Sequence, residues 1–339
     1  MNANQLTGKD FGFGNEDVHL LASIKYWALR SEGAQSASYS RLRKFFMNDE
    51  AKASEQLAYA QKKHSWADQW YDLTSRLLEI GIVVPQEQLQ EKLQALLLSG
   101  SKKSALCIEL ATFGAYHELK QDAKDWESLS FDEDDRKLYL GFCAEIMNES
   151  AYTLLKAWQE FNRCIEIIVK SISGPDLTWL WVGVGTAVLL VLAPYLAGAI
   201  GGLMGLGGAA ATSAGLALLG GGSLAAGGFG MTGGYVVLMA GGAILGYGSG
   251  SAQYRQQLRE GSKEELLFNC GKLYAAIEVF NLYGDNMLQI CSQSLRIQSD
   301  LEAEADVAFT EGDVDQGKQL DSKALVMRAF RRLVRGDLH

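Results

Sequence analysis

From Leu177 to Ile200 the chain reads LTWLWVGVGTAVLLVLAPYLAGAI, and no charged residue follows until Arg255. A run of eighteen or more apolar residues is long enough, as a helix, to cross a hydrocarbon layer roughly 30 Å thick. Trp179 and Trp181 stand at its entrance, where indole rings favour a membrane–water boundary. A second such stretch begins at Met231 and extends to about residue 250, with Tyr247 and Tyr254 near its exit. The sequence alone therefore predicts a membrane-inserting segment over 174–254, with two spans at about 177–200 and 231–250.

Working outward, the basic residues Lys156, Arg163 and Lys170 precede this segment, and Arg255, Arg259, Lys263 and Lys272 follow it. Basic residues on both sides favour cytoplasmic placement of both flanks, hence an even number of crossings. More than half of the 37 glycines lie within the uncharged segment. Gly198/Gly202, Gly230/Gly234 and Gly242/Gly246/Gly250 recur every fourth residue, a spacing that lets helix backbones approach closely in lipid. These positions are the expected packing face, either within a hairpin or between copies of the chain.

The flanks read as helix. The chain has 3 prolines in 339 residues, which permits long uninterrupted helices. Leu20, Leu21, Ile24, Ala28 and Leu29 make one apolar face after Asn15; Trp66, Trp70, Leu73, Leu77 and Ile80 make another. Shorter helices are expected over Gln86–Leu98 and Ser104–Leu119. A capping box at Ser130–Glu133 opens a single long helix to about Ile172, and a second box at Ser262–Glu265 opens the helix carrying Cys270 and Leu273. Two more helices are expected over Met287–Phe309 and Leu320–Val334. The predicted class is all-α: an N-terminal helical domain (1–173), the glycine/alanine-rich segment (174–254) and a C-terminal helical region (255–339).

The charge of −9 argues against bulk electrostatic binding of nucleic acid. Five cysteines without a C-x-x-C pair read as free thiols. Gly228-x-Gly230-x-x-Gly233 matches a dinucleotide fingerprint in letters, but the acidic residue such a site needs is missing. Gly221-Gly222-Ser223-Leu224-Ala225 lacks the closing glycine of a nucleophile elbow. Neither His19, His64, His117 nor His339 forms a helical metal pair. No catalytic, cofactor-binding or metal site is expected, and no small-molecule substrate is evident. On the last helix, Arg328, Arg331, Arg332 and Arg335 oppose Val326, Ala329, Phe330 and Leu333, as on a helix that contacts anionic lipid or an acidic partner.

An apolar, glycine-rich hairpin between long amphipathic helices resembles, in layout, the α-helical pore-forming toxins. The resemblance implies a membrane-perturbing effector whose hairpin inserts and oligomerises. The alternative expectation is a membrane anchor whose helical flanks bind a protein partner. The expected partners are a lipid bilayer and either further copies of the chain or a helical protein.

Overall fold

The computed structural model describes residues 15–47, 50–78, 80–96, 100–116, 126, 128–173, 259, 263–281 and 287–338. Among them the chain is helical without strands: α1 Asn15–Met47, α2 Glu50–Leu78, a 3-10 turn Gln86–Gln88 leading into α3 Leu89–Leu96, α4 Gly100–Ala111, α5 Glu133–Met147, α6 Ala151–Ser173, α7 Lys263–Phe280, α8 Met287–Glu311 and α9 Val314–Val334. The all-α class stands.

The apolar stripe of α1 behaves as its spacing predicts, and so do the two tryptophans of the stripe on α2. Leu20, Leu21, Ile24, Ala28 and Leu29 of α1 are buried, as are Trp66 and Trp70 of α2. Helices α1 and α2 pack along each other, and the extended strap 80–85 crosses α1. Its carbonyls accept from α1 side chains: Ile82 O lies 2.7 Å from His19 Nε2, and Val84 O accepts from Trp27 Nε1 at 2.8 Å. Ser23 Oγ accepts from Val84 N in return. A strap without a sheet partner thus finds partners for its backbone on a helix.

The expected long helix from Ser130 is two helices. Asn148 adopts the left-handed conformation (φ 46°) and ends α5, its N–H reaching back to Ala144 O and Glu145 O. Asparagine tolerates this conformation better than most residues with a Cβ. The α5 cap is a box made by Asp132 and Asp135, two residues after the expected one. Helix α9 begins at Val314, six residues ahead of expectation, because the Asp313 carboxylate caps it by accepting from Gln316 N at 3.1 Å. Gly312, at φ +87°, makes the turn between α8 and α9.

The helices before and after the glycine-rich segment share one core. Helix α7 lies along α6, where Phe161 and Phe268 meet edge to face at 4.8 Å, and α9 packs on both. The amphipathic α6 directs Phe161, Cys164, Ile165 and Ile168 inward, while Arg163, Glu166 and Lys170 face water.

This packing corrects the membrane reading. Among the described residues, no helix is long and apolar enough to cross a membrane. The described helices cover their apolar faces with one another, and their charged faces would be costly in lipid. Three of the basic residues taken as membrane flanks have protein partners: Arg163 pairs with Glu160 at 3.2 Å, Lys170 with Glu166 at 3.6 Å and Arg259 with Glu304 at 2.7 Å. Lys272 is wholly buried. The pore-forming effector, the membrane anchor and the membrane location are therefore withdrawn. The segment 174–254, with Gly198, Gly202, Gly230, Gly234, Gly242, Gly246 and Gly250 and the aromatic residues Trp179, Trp181, Tyr247 and Tyr254, lies outside the described residues.

Candidate functional site

Helix α1 carries charge on its buried face. Lys25 stands four residues after Leu21 and four before Leu29, and Glu32 follows one further turn along; Lys25 is 1% exposed and Glu32 0%. Each anchors a cluster.

At the Glu32 end, Lys63 of α2 and Asp135 at the start of α5 complete an ion triad. Lys63 Nζ lies 2.7 Å from Glu32 Oε1 and 2.9 Å from Asp135 Oδ1. Tyr116 donates its hydroxyl to Glu32 Oε2, and the Lys63 ammonium sits over the rings of Tyr116 and Tyr59 at 4.9 and 5.2 Å. Burial pushes the Glu32 carboxyl up to about 7, against the pull of Lys63 and Tyr116; contact with the Asp135 carboxylate pushes the same way as burial. Burial works against the Lys63 charge, but the two carboxylates outweigh it and hold its pKa above the ordinary lysine value. Tyr116 has φ 65°, a conformation that costs a bulky residue about 1–3 kcal/mol.

At the Lys25 end, Lys272 of α7 places Nζ 2.7 and 2.9 Å from the two oxygens of Glu109 on α4, with both side chains at 0% exposure. Lys25 approaches the same carboxylate, its ammonium resting 4.9 Å from the centre of the Phe113 ring. Burial pushes Lys25 down to about 8; Glu109 opposes the shift and Lys272 adds to it. Burial likewise lowers Lys272, and Glu109 pulls it back. Two ammonium groups therefore face one carboxylate inside the core.

Between the clusters, the buried Arg136 guanidinium donates to Phe113 O at 3.0 Å and Ala111 O at 3.4 Å, closing the C-terminal end of α4. The rings of Phe131 and Trp158 flank it at 4.6 and 4.9 Å.

The α8–α9 hairpin offers a different surface. Leu288 is 84% exposed and Leu295 46% exposed, with Cys291 on the turn between them. Arg335 and Arg331 of α9 act electrostatically on the Cys291 thiol, which places the end of α9 beside that stripe. Arg328 pairs with Glu302 at 2.8 Å and Arg335 with Asp337 at 3.2 Å; Arg331 and Arg332 have no ion-pair partner among the described residues. Val326, Ala329, Phe330 and Leu333 are buried beneath the arginines. At the other end of the hairpin, the Arg259 carbonyl accepts from Gln316 Nε2 at 2.9 Å and Lys323 Nζ at 3.2 Å.

Of the four arginines selected from sequence, three thus lie on α9 and Arg335 is its C-terminal cap residue; Arg328 and Arg335 are paired with carboxylates. The glycine and aromatic positions selected with them are outside the described residues. Sequence reasoning missed the charged core, although its register carries the signal: Lys25 and Lys272 fall on apolar i, i+4 rows, between Leu21 and Leu29 and between Phe268 and Ala276. All five cysteines are free. Among the described residues no group of three His, Cys, Asp or Glu side chains could hold a metal ion. No known family model, curated protein or solved structure matches this chain, so its own geometry carries the functional reading.

Proposed function

We propose that this chain is a non-catalytic, protein-binding helical bundle, and that the exposed side of its α8–α9 hairpin receives an amphipathic helix from an acidic partner protein. The observation that carries the reading is Leu288, 84% exposed on a helix whose opposite face is fully packed. A lone exposed leucine is ordinary. Here it repeats one heptad later at Leu295, with small Ser292 and Ser299 beside it, and with Arg331 at the border near Cys291. Apolar anchors rimmed by arginine are what a helix-binding groove presents: leucines supply burial, and guanidinium groups select a carboxylate-rimmed ligand.

The charged interior fits a binding role better than catalysis. Its groups are satisfied by one another across α1, α2, α4, α5 and α7, which gives a single arrangement of helices rather than free reacting groups.

The test uses two synthetic amphipathic helices with the same leucine stripe, one bordered by glutamate and one by lysine. Fluorescence anisotropy with the full chain should show tighter binding of the glutamate peptide by tenfold or more, about 1.4 kcal/mol. Leu288→Glu and Arg331→Glu should abolish the preference. Equal affinity for both peptides, or binding unaffected by these substitutions, sinks the proposal. A dimer in sedimentation that dissociates in Leu288→Glu would instead assign the face to a second copy.

A further inference from the structure

The Glu32–Lys63–Asp135–Tyr116 cluster joins four separate parts of the fold, and its composition is unbalanced. One ammonium lies within 3 Å of two carboxylates, Glu32 Oε1 at 2.7 Å and Asp135 Oδ1 at 2.9 Å. With both carboxylates ionised the cluster carries a net negative charge in a site where Glu32 has no exposure to water. With one proton on Glu32 the charges balance, and its O–H can donate to the neighbouring Asp135 carboxylate, with which it is in side-chain hydrogen-bond contact. Asp135 is also part of the α5 cap: its Oδ2 accepts from Asp132 N at 3.3 Å. The shared proton therefore connects α1 to the first turn of α5.

We propose that this cluster is a proton-operated latch: one proton shared by Glu32 and Asp135 holds the α1–α5 junction closed, and its loss loosens the first turn of α5 and the Tyr116 segment. The midpoint lies near neutrality, because burial lifts Glu32 to about 7 while its neighbours only partly restrain the shift. Tyr116 is part of the moving piece because its unfavourable backbone conformation is held where its hydroxyl meets Glu32.

The surrounding charges do not override this. From α2, Lys63 binds the pair directly, and His64 turns its Nε2 to Arg30 O. Arg30 on α1 is occupied by Asp68 at 2.9 Å. From α5, Arg136 points to the α4 carbonyls, and from α4, Glu109 faces Lys25 and Lys272. Glu91 and Lys92 of α3 are exposed. Tyr59 contributes its ring to Lys63 and its hydroxyl to Ser130 at 3.1 Å.

Hydrogen exchange of the full chain at pH 6 and pH 8, corrected for intrinsic rates, tests the latch. The amides of 134–136, which bond to Asp132, should lose up to about tenfold of their protection between pH 6 and pH 8, the limit for release of one proton with a midpoint near 7. Glu32→Gln, whose amide can still donate to Asp135 but cannot ionise, should keep its protection at pH 8. The Glu32 side-chain carboxyl carbon, followed by NMR in the unsubstituted chain, should titrate between pH 6 and 8. A carboxyl titrating below pH 5 overturns the proposal, as does equal pH sensitivity in the wild type and Glu32→Gln. Should Glu32→Gln fail to fold, the titration in the unsubstituted chain decides.

Discussion

Lys272 and Glu109 lie 163 residues apart in the chain, yet the lysine Nζ reaches both carboxylate oxygens, at 2.7 and 2.9 Å, in a place that water does not reach. The pair joins α7 to α4 and so ties together the parts of the chain on either side of the glycine-rich segment. Burying two charges costs much of what their attraction returns, so the pair adds little net stability compared with apolar residues of similar size. Its effect lies in register. A one-turn slip of α7 would break both contacts and carry the buried Lys272 charge away from Glu109.

The first prediction compares single and double replacements. Lys272→Met removes the ammonium that contacts both Glu109 oxygens and should cost about 3–5 kcal/mol in urea unfolding. Glu109→Gln should cost at least as much, because it strands two ammonium groups rather than one carboxylate. The double replacement Glu109→Leu/Lys272→Met should recover part of the loss, with the remainder due to buried Lys25 losing the carboxylate it faces. Additive losses in the double variant would show that the pair has no such coupling.

Lys25 gives a prediction of opposite sign. Its folded-state pKa is lowered to about 8 from 10.5, so between these values the unfolded chain binds more protons than the folded one. Stability should therefore rise with pH across that window, by at most roughly 3 kcal/mol, and the penalty should be fully present below pH 8. Lys25→Met removes the buried charge. It should be more stable than the wild type at pH 7, and its advantage should shrink steadily towards pH 10.5. A destabilised Lys25→Met at pH 7 would mean that the ammonium contributes more through Glu109 and the Phe113 ring than burial takes away.

These two clusters show how far the sequence could be read. Apolar periodicity revealed the buried sides of α1 and α9, because Leu21, Ile24 and Leu29, and Val326, Phe330 and Leu333, repeat at helical spacing. The break at Asn148 was hidden, since residues on both sides of it continue an apolar pattern and only the left-handed backbone reveals it. The charged core was hidden for another reason. Lysine and glutamate usually lie at the surface, and the partner that makes Lys272 tolerable is far away in the chain. The uncharged segment misled in a third way: its apolar character dominated the functional reading, while the described helices follow the packing of the flanks.

Gly317 should be sensitive although it lies on a helix where alanine is intrinsically favoured. A Cβ at this position would stand 2.5–2.7 Å from three atoms of the Phe309 ring, across the α8–α9 contact. Gly317→Ala gains about 1 kcal/mol of helix propensity. It must also displace the ring, at about 1–3 kcal/mol for an overpacked contact. The net effect should be destabilising, and Phe309→Leu in the same chain should relieve it. Thermal unfolding of the two single variants and the double variant reads the coupling. A stabilised Gly317→Ala would show that the hairpin opens readily at this contact.

Arg136 supplies the last test, one of shape rather than charge. Its guanidinium is 8% exposed as a residue, pushed down to about 10 by burial, and closes the end of α4 by donating to the carbonyls of Ala111 and Phe113. A planar group can lie between Phe131 and Trp158 while serving two acceptors; an ammonium can replace neither the stacking nor the spread of donors. Arg136→Lys should therefore be destabilising by about 1–3 kcal/mol, the cost of leaving a buried carbonyl without its donor. The loss should appear as faster hydrogen exchange in the last turn of α4, because that is where the freed carbonyls lie. Lysine burial adds its own pH dependence: Arg136→Lys should weaken further as pH falls from alkaline values, whereas the wild-type guanidinium stays charged throughout the neutral range. A lysine variant as stable as the wild type at pH 7 would reduce Arg136 to a simple positive charge.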